Sequence, residues 1–280
     1  MTAFDATPVT PHIGAMIEGL DLTNPLNEAC QAGLQGALAR HLVLFFRDQH
    51  ISPDDHVRLA QIFGEMEPPH PVFPSHPDTP QVTILENDED RPPDVNVWHT
   101  DVTWKKTPPL ASVLHCVECP PVGGDTLWSS MHMAYDLLSD PTKKMIESLT
   151  AIHSIERLAE GQNNDEIHDP AKLAKLMAQF PPVSHPVVRT HPVTGRKGLF
   201  VNWTFTKHIE DIPRQDSEAI LALLYEVVQR PECQVRLRWK PGTIAVWDNR
   251  ATQHYAVADY YPQYRCMHRI TVLGDIPYLQ

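Results

Sequence analysis

Residues 96–104 read Asn-Val-Trp-His-Thr-Asp-Val-Thr-Trp, and this stretch decides the kind of fold that we expect. Valine, threonine and tryptophan favour β-strands, and residues two apart on a strand point to the same face. We therefore predict a strand from Val95 to Thr103, which would turn the imidazole of His99 and the carboxylate of Asp101 to one side.

A second histidine, His254, lies far downstream, just past the turn that follows a strand-like run ending at Asp248. Two imidazoles and one carboxylate form the ligand set of non-haem Fe(II) sites, which leave three metal positions open. We predict that His99, Asp101 and His254 bind one metal ion. The same ligands would also suit a zinc hydrolase with a metal-bound water. A third alternative is a barrel without catalysis that only binds an anion.

Short runs that favour strands fill most of the chain between turn signals such as Pro241-Gly242. Many short strands with peripheral helices are typical of a double-sheet jelly roll. The predicted fold is therefore mainly β with peripheral helices, a double-stranded β-helix (jelly-roll, cupin-like) barrel that holds ligands in its mouth. Besides the strand around His99, we predict strands at residues 42–46, 82–85, 112–117, 187–190, 199–202, 234–239, 244–247 and 265–273.

Helix starts are marked by a capping residue before proline, or by acidic residues at the positive end of the helix dipole. The segment from Glu156 to Gln179 is polar and irregular, and it is a candidate lid. No linker or repeat divides the chain, so we expect residues 1–280 to form a single domain. Helices are predicted to begin at Asn24-Pro25, Ser52-Pro53, Asp140-Pro141, Asp169-Pro170 and near Asp216.

The composition narrows the range of partners. The chain carries 23 Lys+Arg against 35 Asp+Glu, a net charge of -12. Binding to nucleic acids or anionic membranes needs a basic face, so we expect neither as a partner. The N-terminal residues lack a signal-peptide pattern, and no run approaches the ~20 apolar residues of a membrane span. Five cysteines without such a signal fit a reducing compartment. We therefore expect a cytoplasmic protein with a small-molecule substrate; whether it forms a homo-oligomer stays open.

Two arginines and a threonine indicate where anions bind. Thr126 follows Gly123-Gly124, where the backbone can approach a ligand closely. Arg265 and Arg269 would share one strand face, about 13 Å apart at 3.3 Å per residue. If a dianionic 2-oxo acid chelates the metal, Arg265 completes a neutral set and Arg269 keeps an unpaired charge. Because such a charge is costly to bury, Arg269 predicts an anionic primary substrate.

Six short segments carry a more specific signal. They are residues 96–103 (Asn-Val-Trp-His-Thr-Asp-Val-Thr), 123–128 (Gly-Gly-Asp-Thr-Leu-Trp), 185–192 (His-Pro-Val-Val-Arg-Thr-His-Pro), 247–254 (Trp-Asp-Asn-Arg-Ala-Thr-Gln-His), 267–269 (Met-His-Arg) and 273–275 (Leu-Gly-Asp). Together they resemble the taurine dioxygenase (TauD/TfdA-like) family of Fe(II)- and 2-oxoglutarate-dependent oxygenases, nearly from end to end. The resemblance implies that His99, Asp101 and His254 bind Fe(II). It also implies that Thr126 and Arg265 hold the far carboxylate of the co-substrate 2-oxoglutarate, with O2 as the oxidant.

On the substrate side, the resemblance implies that His70, Arg269 and the backbone N–H of Val102 hold a sulfonate. It also implies that Phe205 lines the pocket. The implied reaction hydroxylates the carbon next to the sulfonate and releases sulfite and an aldehyde, together with succinate and CO2. The same step on a sulfate ester would release sulfate.

Two positions depart from the taurine pattern. Phe73 and Val95 stand where taurine enzymes have a tyrosine and an asparagine near the amino group of the substrate. Each missing hydrogen bond would cost a buried ammonium about 1–3 kcal/mol. We therefore expect an amine-free alkanesulfonate or an alkyl sulfate ester to be a better substrate than taurine. A protonated His70 would bind such an anion better, so we expect affinity to fall as pH rises through the pKa of His70.

Overall fold

The computed structural model describes residues 4–71, 73–93, 96–156 and 170–280. Its strands are β1 (Asp5–Pro8), β2 (Ala15–Glu18), β3 (Val43–Phe46), β4 (Thr83–Asn87), β5 (Ala111–Glu118), β6 (Thr126–Ser130), β7 (Thr150–His153), β8 (Val183–Pro186), β9 (Val188–Thr190), β10 (Lys197–Leu199), β11 (Thr206–Ile209), β12 (Gln234–Leu237), β13 (Ile244–Asp248), β14 (Thr252–Ala256) and β15 (Arg265–Val272). Its helices are α1 (Glu28–His41), α2 (Pro53–Gln61), α3 (Met131–Asp136), α4 (Asp140–Ile146), α5 (Pro170–Gln179) and α6 (Arg214–Val228).

Seven strands form the main sheet, in the order β1-β2-β3-β13-β5-β15-β4. All neighbours are antiparallel except β2 and β3. On the outer face, Leu44, Val113 and Val246 pack against Leu34 of α1 and Leu59 of α2. All five are almost completely buried, and burying such a side chain stabilises the fold by roughly 1.5–3 kcal/mol. Because side chains alternate along a strand, the neighbouring residues point to the opposite, inner face.

A second sheet, in the order β12-β6-β14, packs on that inner face. Trp128 of β6 is fully buried between the sheets, with ring centroids 5.4 Å from Phe45, 5.8 Å from Trp247 and 6.2 Å from Trp239. Two facing sheets with helices outside are the predicted double-stranded β-helix. Among the described strands, hydrogen bonds do not join the two sheets into a closed barrel.

A third apolar cluster packs α3 and α6 against the small sheets β10-β9 and β11-β7-β8. Leu221 and Leu224 point inward from α6, as the spacing of its apolar residues indicates. They pack with Val188 of β9 and Ile209 of β11. This cluster is separate from the two cores of the main sheet.

Helix α1 begins later than predicted, whereas α2 begins where expected. The side chain of Asn24 donates to Oδ2 of Asp21 at 2.7 Å, so it does not cap a helix. Asn27 caps α1 instead, by accepting an N–H of the first turn at 2.9 Å. Ser52 and Asp55 form a reciprocal capping box at the start of α2.

The candidate lid is only partly described. Residues 157–169 lie outside the described residues, and the end of the segment is helix α5. In the part of the chain that the structure describes, no helix combines the length and apolar character needed to cross a bilayer.

Candidate active site

The backbones of His99 and His254 hold the two predicted histidine ligands together. The N–H of His99 donates to the carbonyl of His254 at 3.0 Å, and the reverse bond measures 2.8 Å. This isolated antiparallel bridge docks the loop around His99 onto β14 of the second sheet. The two ring centroids lie 4.1 Å apart as a result.

The strand predicted from Val95 to Thr103 is wrong. Beyond the single bridge at His99, the described part of this stretch is irregular, and residues 101–104 form a turn. Val102 has a left-handed backbone with φ +54°, which β-branched residues normally avoid. Asp101 therefore reaches the site because the chain turns, and strand alternation plays no part. Val95 itself lies outside the described residues.

Three ligand atoms converge at this point. Oδ1 of Asp101 lies 3.8 Å from Nε2 of His99 and 3.9 Å from Nε2 of His254. Ligand atoms of all three residues lie within 4.8 Å of one another, and all three residues are buried. Nδ1 of His99 lies 2.9 Å from the carbonyl oxygen of Val97. That contact places the ring proton on Nδ1 and leaves Nε2 as the donor to a metal.

The protonation states also suit a metal ion. Burial lowers the pKa of His99 below its usual range and the pKa of His254 to about 3. Burial alone would raise the pKa of Asp101, but Arg269 and then the two imidazoles hold it below its ordinary value. At pH 7 the site therefore offers two neutral nitrogen donors and one anionic oxygen donor, and no proton has to leave when a metal binds.

Arg269 borders the predicted metal ligands and is only 8% exposed. Its Nη1 lies 3.3 Å from Oδ1 of Asp101, and its Nε has no hydrogen-bond partner among the described residues. Without a metal, Asp101 is therefore the anionic partner of Arg269, and the unpaired charge expected with metal and 2-oxo acid bound stays a prediction. A divalent ion would claim the same carboxylate, which would leave the guanidinium short of an anion.

Two phenylalanine rings border the site, one beside Arg269 and one beside His99. The ring of Phe73 lies 4.8 Å from that of His70 and 5.7 Å from Cζ of Arg269. Phe205 approaches His99 edge-on at 6.4 Å and packs in a small apolar cluster with Val102. The predicted substrate residues that the structure describes thus lie around the predicted metal ligands.

His70 is neutral at pH 7, which corrects the expectation of a protonated side chain. Burial, helped by the charges of Arg269 and Lys105, lowers the pKa of His70 to about 3. The N–H of Phe73 donates to Nδ1 of His70 at 3.3 Å, so the ring proton is on Nε2. His70 therefore offers a neutral N–H donor and no positive charge.

Arg265 forms a second, separate cationic group. It is buried, lies with Cζ 5.7 Å from the ring centre of Tyr260, and has no partner for Nε among the described residues. Gly124, at φ +69°, borders both: a Cβ there would lie 3.1 Å from Tyr260 and 3.5 Å from Arg265. Thr126 accepts the indole N–H of Trp239 at 2.9 Å, which leaves its hydroxyl hydrogen to be donated elsewhere.

One cavity of about 570 Å³ joins these groups. Much of the remaining wall is apolar, with Ile84, Leu85, Leu114, Trp104 and Trp247. The two arginines and the predicted metal ligands therefore face one chamber. Every predicted site residue that the structure describes lines it, namely His70, Phe73, His99, Asp101, Val102, Thr126, Phe205, His254, Arg265 and Arg269.

Sequence analysis did not single out Ser112, Asn249 or Tyr260. Ser112 donates its hydroxyl to Oδ2 of Asp101 at 2.7 Å, and Asn249 donates to Ser112 at 3.0 Å. The only signal for Ser112 is a hydroxyl within the otherwise apolar run at the start of β5. Tyr260 has no sequence signal, since it lies in a loop and contacts Arg265 only in the folded chain.

Two neutral imidazoles and a carboxylate beside buried arginines, between facing β-sheets, define a class of protein: the non-haem metal oxygenases with open coordination positions. The family model described as "Taurine catabolism dioxygenase TauD, TfdA family" matches residues 5–271. The chain belongs to this family.

Several relatives cover nearly the whole chain. An α-ketoglutarate-dependent sulfate ester dioxygenase from Pseudomonas putida is 39% identical, over 98% of this chain and 90% of the relative. An alkylsulfatase from Acinetobacter baylyi is 37% identical, over 96% of this chain and 84% of the relative. The crystal structure of a taurine dioxygenase from Burkholderia xenovorans matches with a TM-score of 0.84 and 36% identity, over 98% of this chain and 91% of that one.

The protein is therefore an oxidoreductase, a 2-oxoglutarate-dependent dioxygenase that uses Fe(II) as cofactor and 2-oxoglutarate and O2 as co-substrates. The residues present fit these groups. The nitrogen and oxygen donors suit Fe(II). The buried Nε of Arg265, which has no hydrogen-bond partner among the described residues, suits a carboxylate.

Proposed function

We propose that this dioxygenase hydroxylates the sulfate-bearing carbon of an amine-free alkyl sulfate ester. The observation that carries the proposal is a contrast within one cavity. A buried guanidinium, Arg269, lies 3.3 Å from the carboxylate of the metal site, and the walls around it are largely apolar. A substrate with an anionic head and an apolar tail matches both features.

His99, Asp101 and His254 would hold Fe(II), which supplies the activation of O2 coupled to the oxidation of 2-oxoglutarate. Arg265 and the hydroxyl of Thr126 would hold the far carboxylate of 2-oxoglutarate. Because Arg265 has no acceptor for its Nε among the described residues, a carboxylate would supply the partner that the buried guanidinium lacks.

The sulfate group would bind to Arg269, to the neutral Nε2–H of His70 and to the backbone N–H of Val102. All three residues line the cavity, and the turn at Val102 borders the metal ligand Asp101. Held in this way, the carbon next to the anion would face the metal site. The contribution of these residues is orientation, which brings one C–H bond into position for oxidation.

Phe73 supports a substrate without an amino group. Its ring contacts both His70 and the guanidinium of Arg269, and it has no hydroxyl with which to bind an ammonium. A buried ammonium would lose about 1–3 kcal/mol for each missing hydrogen bond. The relatives described as a sulfate ester dioxygenase and an alkylsulfatase support the same substrate class.

The proposed reaction replaces one C–H bond with C–OH, while 2-oxoglutarate is oxidised to succinate and CO2. One oxygen atom of O2 enters the alcohol and the other enters succinate. The product carries hydroxyl and sulfate on one carbon, so the C–O bond to sulfate breaks as the hydroxyl loses its proton. An aldehyde and sulfate result. An alkanesulfonate is the second candidate, since it presents the same anionic oxygens and the family is described by taurine catabolism; it would give sulfite.

A substrate panel tests the proposal. Succinate release would be measured with Fe(II), 2-oxoglutarate and O2 in the presence of hexyl sulfate, hexanesulfonate or taurine. We expect hexyl sulfate to stimulate succinate release most, with equimolar sulfate and aldehyde, and taurine to stimulate it least. A clear preference for taurine would contradict the proposal. Sulfate release without O2 and 2-oxoglutarate would instead indicate the hydrolase alternative.

A further inference from the structure

A chain of buried side chains ends on the carboxylate of the metal site. The indole N–H of Trp247 donates to Oδ1 of Asn249 at 2.9 Å. The amide of Asn249 donates to Oγ of Ser112 at 3.0 Å, and the hydroxyl of Ser112 donates to Oδ2 of Asp101 at 2.7 Å. All four residues are at most 4% exposed.

The donor and the acceptor of every hydrogen bond in this series are determined. An indole N–H can only donate, so Asn249 must present its carbonyl oxygen to Trp247 and its NH2 group to Ser112. The oxygen of Ser112 therefore accepts, and its single hydrogen is available for Asp101. Asn249 is itself anchored by its backbone N–H, which donates to the carbonyl of Leu110 at 2.8 Å. The hydroxyl thus cannot turn away without breaking a buried bond.

The two oxygens of Asp101 consequently have different neighbours. Oδ1 faces Nε2 of His99 and of His254 at 3.8 and 3.9 Å, whereas Oδ2 accepts from Ser112. We propose that Ser112, oriented by Asn249, is a positioning residue that keeps Oδ2 of Asp101 away from the metal. The inference rests on the proposed ligand set, and it adds that Asp101 binds through Oδ1 alone.

This restriction matters because coordination positions are scarce. A metal with one donor from each of three residues keeps three positions open. A carboxylate can also bind through both oxygens, and a second oxygen from Asp101 would occupy one of the three open positions. A 2-oxo acid that chelates through two atoms needs two of these positions, and O2 needs the third. Losing the Ser112 hydroxyl should therefore weaken 2-oxoglutarate binding without weakening metal binding.

The same series of hydrogen-bonded side chains also contacts a second predicted metal ligand, His254. The ring of Trp247 packs on the ring of His254 with centroids 4.9 Å apart. Asn249 is therefore hydrogen-bonded both to Trp247, which packs on His254, and to Ser112. Ser112 in turn donates to Asp101. A near-isosteric Asn249→Leu variant leaves the Ser112 hydroxyl in place but removes the donor that fixes its rotation. We expect this variant to show the defect of Ser112→Ala in a milder form.

The test uses the full chain loaded with Co(II), so that binding is measured without turnover. Visible absorption reports the Co(II) coordination, and titration gives the dissociation constants of Co(II) and 2-oxoglutarate. In Ser112→Ala we expect a changed Co(II) spectrum, unchanged or tighter Co(II) binding, and a 2-oxoglutarate dissociation constant raised at least about tenfold. Ser112→Thr keeps a hydroxyl and should restore both properties towards those of the wild type.

Ser129→Ala is the matched control. Ser129 is equally buried, and its hydroxyl donates to the carbonyl of Val228 at 2.7 Å, outside the cavity. We expect it to lose stability like Ser112→Ala but to keep the wild-type spectrum and 2-oxoglutarate affinity. A Ser112→Ala protein with both wild-type properties would overturn the inference, as would a defect that Ser129→Ala shares. If Ser112→Ala does not fold, wild-type behaviour of Asn249→Leu overturns it. Failure of the wild type itself to bind Co(II) and 2-oxoglutarate would instead contradict the proposed function.

Discussion

Arg265 and Arg269 lie on the same face of β15 but have different neighbours. The one irregularity between β5 and β15 adds a residue, Val117, to β5, so the alternation of β15 is preserved and both guanidinium groups reach the cavity. Arg269 has Asp101 as a partner at 3.3 Å. The Nε of Arg265 has no acceptor in the part of the chain that the structure describes. We therefore expect the two arginines to bind different anions.

Lysine substitutions should separate the two roles. Lysine keeps the positive charge but loses the planar fork that binds an oxyanion through two bonds. We expect Arg269→Lys to raise the KM for the organosulfur substrate about tenfold or more and to leave the KM for 2-oxoglutarate within about twofold. Arg265→Lys should do the reverse. Initial rates of succinate release, with one substrate varied at a time, measure both constants. Equal effects of each variant on both constants would contradict the assignment.

The neutral state of His70 gives a prediction about pH. Its pKa is lowered to about 3 by burial and by the nearby cations, so the side chain does not change charge between pH 6 and 8. We expect kcat/KM for the organosulfur substrate, which reports groups of the free enzyme, to have the same pH profile in wild type and in His70→Gln over this range. The variant should be slower at every pH. A fall in kcat/KM between pH 6 and 7.5 that only the wild type shows would mean that His70 binds the substrate in its protonated form.

At the scale of single residues, the grouping of the predicted ligands and both arginines in one cavity could be predicted, because few residue types perform the proposed chemistry. An imidazole near a carboxylate, or a buried guanidinium, has a narrow set of roles. Ser112 could not be predicted, because a serine in an apolar strand has many roles and its partners lie in separate segments of the chain. The partial pairing of Arg269 with Asp101 was missed for the same reason. The role of Val95 and the cytoplasmic location stay predictions.

Helix α2 shows that a capping signal can be read from sequence and tested. Ser52 accepts from the N–H of Asp55, and the carboxylate of Asp55 accepts from the N–H of Ser52. We expect Ser52→Ala to lower the free energy of unfolding by about 0.5–2 kcal/mol, because the first turn loses a capping acceptor. Urea denaturation of the metal-free protein measures the change. Ser148→Ala is the control, since that exposed hydroxyl donates to the carbonyl of Met145 at 3.2 Å and caps no helix start. A loss as large there would exclude capping as the cause.

Element prediction succeeded where burial and local propensity agree. The run predicted at residues 244–247 is β13, Ile244–Asp248, and the run at 265–273 is β15, Arg265–Val272. It failed for the loop around His99, where valine and threonine favour a strand but the chain is held by one bridge to His254 and then turns. Short edge strands such as β1, Asp5–Pro8, were also missed, since only pairing with β2 defines them.

On the scale of the whole molecule, the two faces of the main sheet lie in different environments. The inner face borders the cavity, and the outer face, under α2, buries His56 and His115. Nε2 of His56 lies 3.1 Å from the carbonyl oxygen of Val113. The ring centroids of His56 and His115 lie 6.0 Å apart. His268 pairs with His115 across β15 and β5. Burial, followed by the charge of His115, lowers the pKa of His56 to about 3. Burial, followed by the charge of His268, lowers the pKa of His115 to about 4.

These two histidines should make the fold sensitive to acid. Both are neutral in the folded state at pH 5, whereas in the unfolded chain they take up protons below about pH 6.5. The unfolded state then binds more protons, so the free energy of unfolding falls as pH drops from 6.5 towards 4, by up to about 1.4 kcal/mol per pH unit for each histidine.

We expect His56→Gln, whose amide can still donate to Val113, to be less stable at pH 7.5 but to lose less stability on acidification. Urea denaturation of the metal-free protein between pH 7.5 and 4.5 measures both slopes. His208→Gln, at an exposed position of β11, should keep the wild-type slope; a wild-type slope in His56→Gln would show that His56 does not contribute to the acid sensitivity.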